Sequence, residues 1–198
     1  IRDRLFAGLA IFNALYATQA LLPVFTSELG MTEGQAAWTV SAATGGLALC
    51  VIPASILSER FGRGRVLIVS ALLATTVGLA LPLAQSANQL IIMRFIQGCL
   101  IAGTPAVAMT WIAEEIDSRD AARAMGLYVA GNSIGGLLGR LIPSFAMEVT
   151  TWRWAMFAGA ATALTFTLIM WALLPVQQRF TPKRLNPRNE VTAMLRHL

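Results

Sequence analysis

Charged side chains are scarce in this sequence. Asp, Glu, Lys and Arg make up 13% of its 198 residues, about half the share found in an ordinary soluble domain. The charges that remain are clustered between long apolar runs, and these runs carry no polar face of the kind that a soluble helix needs. The scarcity excludes a soluble all-helical protein and predicts a chain whose main solvent is lipid.

Histidine and cysteine are almost absent as well. The one histidine, His197, lies in a polar tail, while Cys50 and Cys99 lie inside apolar runs. Since no metal or disulfide spacing is present, we interpret both cysteines as small buried side chains. Ser133 among glycines would suggest an intramembrane serine protease, but no apolar run contains a histidine to act as its base. We therefore predict that the protein is not an enzyme.

The net charge of +5 does not indicate a nucleic-acid partner. The basic residues flank helix ends and do not form an aromatic-laced surface, which indicates contact with the lipid bilayer and control of topology. A voltage sensor would place arginines at every third position of one helix. The sequence has no such series and no re-entrant filter loop, which disfavours a channel subunit.

Six apolar runs are long enough to cross a bilayer, which takes about 20 residues each. Five predicted spans cover about 5–25, 35–57, 66–84, 121–145 and 154–174, and the fourth in chain order ends near Ala113. Capping-box patterns, Thr32-x-x-Gln35 and Ser86-x-x-Gln89, precede the second and fourth spans. The short connections predict antiparallel neighbours. We therefore expect an all-α membrane protein with a six-helix transmembrane bundle over residues 1–175.

The basic residues predict the orientation of this bundle. Twelve of the 15 Lys and Arg lie on one side, and only Arg94, Arg140 and Arg153 lie on the other. By the positive-inside rule both ends are cytoplasmic, in a plasma (inner) membrane. Residues 176–198 are polar and contain prolines, which predicts a cytoplasmic linker. An apolar stripe from Val191 to Leu198 predicts a short amphipathic helix within it, and we expect the chain to be part of a longer protein.

The turn between the second and third spans, residues 55–65, carries the clearest motif. Gly62 suits a tight turn with positive φ, and the arginines around it would mark the cytoplasmic side, which by itself requires no further role. The segment resembles the signature loop of the major facilitator superfamily, although Ser55 replaces its first Gly and Gly64 interrupts its basic run. The resemblance implies a charge latch between two halves of a transporter in the outward-facing state. Its residues would be Glu59, Arg60, Gly62, Arg63 and Arg65, with Glu114 and Glu115 as acidic partners.

A second stretch, Arg94-Phe-Ile-Gln97-Gly98 in the fourth span, resembles the Arg-x-x-Gln-Gly motif of the same family. An arginine inside a membrane helix costs about 2.5–3.5 kcal/mol on insertion scales. Arg94 must therefore face the protein interior or extend to the nearby membrane surface. The resemblance implies a role in proton transfer or coupling.

A third stretch is the glycine-rich fifth span. Such a density of glycine allows neighbouring backbones to approach closely. It also resembles the antiporter motif Gly-Pro-x-x-Gly-Gly of exporters, with Asn132 in place of Pro, so both packing and antiport remain open. The residues concerned are Gly126, Gly131, Asn132, Gly135, Gly136 and Gly139.

The resemblance implies one half of a 12-helix major facilitator fold with a 3+3 inverted repeat, partnered by a carboxy-terminal six-helix half. We expect proton-coupled export of a small organic compound by alternating access, with no cofactor. Uptake by the same fold, and a non-transporting channel or scaffold subunit, are the alternatives. Polar and large side chains in the spans would line the cavity or bond neighbouring helices: Asn13, Tyr16, Gln19, Trp38, Gln97, Met109 and Asn132. No carboxylate lies at midplane, so either the titrating group belongs to the other half or Arg94 modulates it. This chain is expected to transport nothing unless it is joined by that half or by another copy of itself.

Overall fold

The computed structural model describes residues 2–115 and 118–174, and within these the side chains of residues 2–4, 106, 115, 118 and 119 are not described. Regular structure in these residues is entirely helical. The elements are α1 (Arg2–Tyr16), a 3-10 turn (Gln19–Leu21), α2 (Leu22–Glu28), α3 (Glu33–Phe61), α4 (Arg63–Ala80), a second 3-10 turn (Leu81–Leu83), α5 (Ala87–Ile101), α6 (Gly103–Glu115), α7 (Ser118–Met147) and α8 (Trp152–Leu173). The predicted linker, residues 176–198, lies outside the described residues.

These elements form the six predicted spans. Five described stretches are long and apolar enough to cross a membrane: Leu5–Glu28, Glu33–Phe61, Arg63–Leu83, Ala87–Glu114 and Trp152–Leu173. The remaining span is α7, which is long enough at 30 residues. Its glycines, Asn132, Ser133, Ser144 and Arg140 dilute its apolar character, which is why length and composition alone do not select it.

Two spans predicted as single helices are each broken in the middle. The first changes from α1 to a 3-10 turn and then to α2, and the fourth divides between α5 and α6 at Ala102. A proline follows each break within six residues, and its ring displaces the carbonyl of residue i−4 while its nitrogen cannot donate. Pro23 excludes a helical bond to Gln19, and Pro105 excludes one to Ile101.

The helix ends follow the capping signals in the sequence. Thr32 Oγ1 accepts from the Gln35 amide at 3.2 Å, and Gln35 Oε1 accepts from the Thr32 amide at 3.0 Å, which completes the predicted capping box. Ser86 Oγ accepts from the Gln89 amide at 3.3 Å. Between α3 and α4, Gly62 has a φ of 96°, a conformation that only glycine adopts without strain.

The packing of the spans has the symmetry of an inverted repeat. The first span packs mainly on the fifth and sixth, and the fourth packs on the second and third. If the first three spans are exchanged with the last three, the contacts of the first span become those of the fourth. The third and sixth spans pack on each other behind these pairs.

Glycine seams join the closest helix pairs. On α7, three glycines four residues apart lie against equally spaced backbone carbonyls of α1. The pairs are Gly131 with Leu5, Gly135 with Leu9 and Gly139 with Asn13. A methyl group at position 135 or 139 would lie 2.6 Å from the facing oxygen. The α3–α5 pair is built alike, with Gly98 against the carbonyl of Ala43 and Gly46 against that of Phe95.

Candidate functional site: charged clusters and the substrate path

At the end of the bundle where α3 meets α4, Arg63 forms a bidentate ion pair with Glu114 of α6. Arg63 Nε donates to Oε2 at 2.6 Å and Nη2 donates to Oε1 at 2.7 Å. Nη1 donates to Ser58 Oγ at 3.1 Å, and Glu59 Oε1 lies 3.9 Å from Nη2. The side chain of Arg63 is nearly buried, so it ties the turn to the fourth span. We call this end of the bundle the Arg63 end.

The other arginines of the turn remain exposed. The guanidinium of Arg60 lies 5.4 Å from the centre of the Phe61 ring, and Arg65 lies on the first turn of α4. Neither pairs with a carboxylate among the described residues. The side chain of Glu115, the other predicted acidic partner, is not among the described side chains. The structure thus brings Glu59, Arg63 and Glu114 together and leaves Arg60 and Arg65 on the surface.

Arg94 on α5 is fully buried and holds three spans together. Its Nε donates to the carbonyl of Thr39 at 3.1 Å. Nη1 donates to the carbonyl of Ala14 at 3.2 Å and Nη2 to that of Leu15 at 2.6 Å. Nη1 also donates to Gln97 Oε1. Arg94 therefore faces the protein interior and does not extend to the membrane surface.

The position of Arg94 matches the break in the first span. Where α1 ends at Tyr16, the last carbonyls of the helix lose their helical partners, and in lipid no water replaces them. Two of these carbonyls, those of Ala14 and Leu15, accept from Arg94. Gln97 extends this hydrogen-bond network to α4, since its Nε2 donates to the carbonyl of Ala74 at 3.1 Å. We call Arg94, Gln97 and their backbone acceptors the Arg94 junction. All four acceptors of Arg94 are neutral.

Carboxylates among the described side chains lie at helix ends. Glu28, Glu33, Glu59, Glu114 and Glu148 each occupy or adjoin a terminus, and Asp120 lies in the first turn of α7. Within the described ranges no group of three or more His, Cys, Asp or Glu could hold a metal ion. The midplane of the described bundle thus offers arginine, amide and hydroxyl groups and no acid.

The glycine-rich span divides into a packed and an open part. Gly131, Gly135 and Gly139 form the seam with α1, whereas a methyl group at Gly126 would meet nothing within 4 Å. Gly136 lies under the Tyr16 ring, and a methyl group at this position would lie 3.1 Å from the nearest ring carbon. Asn132 lies beside Gly8 of α1, and its Oδ1 has no hydrogen-bond partner among the described residues.

Three predicted cavity residues are in different surroundings. Asn13 is fully buried between α1 and α8, and its Nδ2 donates to the carbonyl of Gly159 at 3.5 Å. Trp38 and Met109 are on the outside of this chain, with 61% and 38% of their surface exposed. Asn13 thus faces another helix of the same bundle, while Trp38 and Met109 remain available to line a cavity.

The other two predicted residues, Tyr16 and Gln19, meet an arginine that the sequence patterns did not select. Arg140 of α7 donates from Nε to Gln19 Oε1 at 2.6 Å. Its guanidinium lies 4.3 Å from the centre of the Tyr16 ring. We call these three residues the Arg140 cluster. A charge inside the fifth span was the available signal, because such residues are costly in lipid and usually functional.

An apolar groove of about 550 Å³ lies between α3, α4 and α5. Leu57, Phe61 and Leu73 form part of its walls, and Cys50 and Cys99 both line it. Both cysteines are half-buried in apolar surroundings, so the prediction that they are buried side chains is wrong. The groove lacks the convergent polar groups that mark a substrate site.

Comparison with known proteins agrees with this architecture. The inner membrane transport protein YnfM of Escherichia coli K12 is 38% identical over 182 residues, which is 92% of this chain and 44% of that protein. YybF of Bacillus subtilis 168, an uncharacterized MFS-type transporter, is 34% identical over 192 residues, or 97% of this chain and 48% of that protein. The chain thus spans about half the length of these relatives. The inward-open xylose transporter XylE from E. coli has the same fold, with a TM-score of 0.77 at 16% identity over 98% of this chain and 51% of that one.

These observations define a multi-pass membrane protein of the transporter class. The model of the Major Facilitator Superfamily matches residues 4–198. The chain belongs to this superfamily and corresponds to the amino-terminal half of such a transporter.

Proposed function

We propose that the chain is one half of a secondary active transporter that exports a small organic compound in exchange for protons by alternating access. The observation that carries this proposal is the bidentate Arg63–Glu114 pair at the Arg63 end. It fixes the turn between the second and third spans and leaves Arg60 and Arg65 exposed. A turn that is held in place by an ion pair and that exposes two arginines suits a surface that binds and releases the second half of the transporter.

We place the Arg63 end on the cytoplasmic side of an inner membrane. The excess of Lys and Arg in the turns at this end supports that orientation. The latch would then close the cytoplasmic side while the cavity is open to the outside. The packed glycine seams support rigid movement of the bundle, since alternating access in such folds is largely rocking of one half against the other.

The proton-carrying carboxylate is proposed to lie in the second half. Arg94 supports this because its partners are neutral and the described carboxylates lie at helix ends. In this scheme Arg94 takes no part in proton transfer and instead fixes α1, α3 and α5 around the path. The resemblance of the α7 glycines to the antiporter motif favours export over uptake.

The test is transport by the complete protein that contains this chain, reconstituted into vesicles of known orientation. Counterflow is measured with a panel of sugars, drugs, amino acids and organic acids, with and without an imposed pH gradient. We expect counterflow of at least one compound, and its export driven by inward proton movement. Transport that ignores the pH gradient would contradict proton coupling, and accumulation against the predicted direction would contradict export. The 198-residue chain alone is expected to give no counterflow.

A further inference from the structure

The Arg140 cluster holds a positive charge inside the membrane-spanning part of α7. Arg140 precedes the end of α7 at Met147 by about two turns, roughly 10 Å along the axis at 1.5 Å per residue. Its Nη1 lies 3.5 Å from the carbonyl of Gly136, one turn back along the helix. The side chain thus points away from the nearer helix end. It does not extend toward the membrane surface, and the bond to Gln19 Oε1 holds it there.

Among the described side chains, no acid neutralises this charge. No carboxylate of the described residues pairs with Arg140, and its contacts are an amide oxygen, a backbone carbonyl and an aromatic ring. The Gln19 amide nitrogen and the Tyr16 hydroxyl have no hydrogen-bond partner among the described residues either. A guanidinium, an amide and a hydroxyl therefore present unused donors at one place.

The face that carries Arg140 does not suit contact with lipid tails. Val129, Ser133 and Arg140 share one exposed face of α7, spaced four and seven residues apart. Charged side chains within membrane spans almost always face the bundle interior or a water-filled cavity. The first span is also interrupted between Tyr16 and Gln19, and interrupted helices at this depth typically line the substrate path of a transporter.

We propose that the Arg140 cluster is the part of the substrate path that recognises the carboxylate group of a small organic anion. The inference rests on the proposed function, since it needs the second half to enclose the cavity. Nη2 of Arg140 and the remaining hydrogen on Nη1 bind the two carboxylate oxygens, a geometry for which the planar guanidinium is suited. Gln19 Nε2 and the Tyr16 hydroxyl donate to the same group, and the Tyr16 ring keeps the guanidinium in place from below.

The experiment uses the complete transporter in lipid nanodiscs and measures binding of acetate, benzoate and succinate against their amides. We expect the protein to bind at least one carboxylate and to prefer it to its amide. Arg140→Gln is expected to weaken that binding roughly ten- to a hundred-fold, because hydrogen bonds to charged groups contribute about 1.5–3 kcal/mol. Arg140→Lys should retain part of it. Arg123→Gln, which removes an exposed arginine from the other end of the same helix, should change nothing.

A second variant keeps the arginine and neutralises its charge with a neighbouring carboxylate. Gln19→Glu has the same shape as the native side chain and places a carboxylate beside Arg140. It is expected to abolish the preference for the carboxylate over its amide. A protein that binds none of the carboxylates would overturn the proposal. So would undiminished carboxylate binding in both Arg140→Gln and Gln19→Glu.

Failure of the inference is distinguishable from failure of the proposed function. Counterflow of carboxylates that is unaffected by Arg140→Gln would overturn the anion site, while the proposed transport function would remain supported. Arg140-dependent binding of a carboxylate without counterflow of any compound would retain the site and contradict transport.

Discussion

Arg94 and Arg140 both lie within membrane-spanning helices, yet their surroundings differ in every respect. Arg94 is fully buried and donates to four acceptors on three spans. Arg140 is exposed, donates one short hydrogen bond and rests on an aromatic ring. The first arrangement consumes the donors of the guanidinium inside the fold, whereas the second leaves most of them for another molecule. The comparison separates an arginine that assembles the bundle from one that is available to a ligand.

The largest effect is expected at the Arg94 junction. Arg94→Met should lower the free energy of unfolding by at least about 3 kcal/mol, because each buried acceptor left without a donor costs about 1–3 kcal/mol. Arg94→Lys should recover only part of this, since an ammonium group cannot reach acceptors on three spans. Unfolding in detergent micelles is the measurement, with Arg123→Met as the control on an exposed arginine. Equal stabilities of Arg94→Met and Arg123→Met would remove the distinction drawn here.

The next effect tests whether the Arg94 junction depends on close packing of α3 and α5. Gly98→Ala would press a methyl group against the carbonyl of Ala43, and overpacking of this kind costs about 1–3 kcal/mol. The matched control is Gly126→Ala, where a methyl group meets open space. It should be neutral or stabilising by about 0.5–1 kcal/mol, because Ala is the better helix former. A Gly98→Ala protein as stable as Gly126→Ala would show that the seam is looser than described.

A smaller effect is expected for the Arg63–Glu114 pair, which is intermediate between the two surroundings. Its geometry is bidentate, but 44% of the Glu114 side chain is exposed. Such exposure limits the coupling energy of an ion pair to about 0.2–1 kcal/mol. A double-mutant cycle with Arg63→Gln and Glu114→Gln measures it, and added salt should reduce it. Arg65→Gln combined with Glu114→Gln is the control and should show additive effects.

The smallest effect is expected at Arg140 itself. Arg140→Gln should change the free energy of unfolding by less than about 0.5 kcal/mol, as for most exposed substitutions. The same unfolding measurement as for Arg94 gives a direct comparison. A loss of several kcal/mol would instead mean that Arg140 supports the fold, and its hydrogen bond to Gln19 would then be structural.

The fold could be predicted from the sequence because the decisive patterns are local. Apolar run lengths gave six spans, and Thr32 and Gly62 marked two helix boundaries that the structure has within a few residues. The breaks at Ala17–Thr18 and Ala102 were not predicted, although Pro23 and Pro105 were visible. Pro53 and Pro143 lie inside continuous helices, so a proline within an apolar run does not by itself predict a break. At the first break the carbonyls of Ala14 and Leu15 accept from Arg94, which is distant in sequence.

The candidate site was harder to predict from the sequence because it depends on which helices become neighbours. The spacing of Asn13, Tyr16 and Gln19 indicated one helix face, but it could not show that Asn13 meets α8 while Tyr16 and Gln19 meet Arg140. The ion pair of Arg63 with Glu114 joins residues 51 positions apart. It was anticipated through a family resemblance and not through any local pattern. Long-range pairs of this kind are the part that sequence patterns leave open.

The α7 glycine seam has a consequence for the mutations that this protein can accept. At positions 131, 135 and 139 even one extra carbon meets a main-chain oxygen of α1, and main chain cannot adopt another rotamer to make room. Side chains on the opposite face of the same helix have no such constraint. Tolerance to substitution along α7 should therefore rise and fall with a period of four residues, so that a library of all single variants would trace the line where the two helices touch.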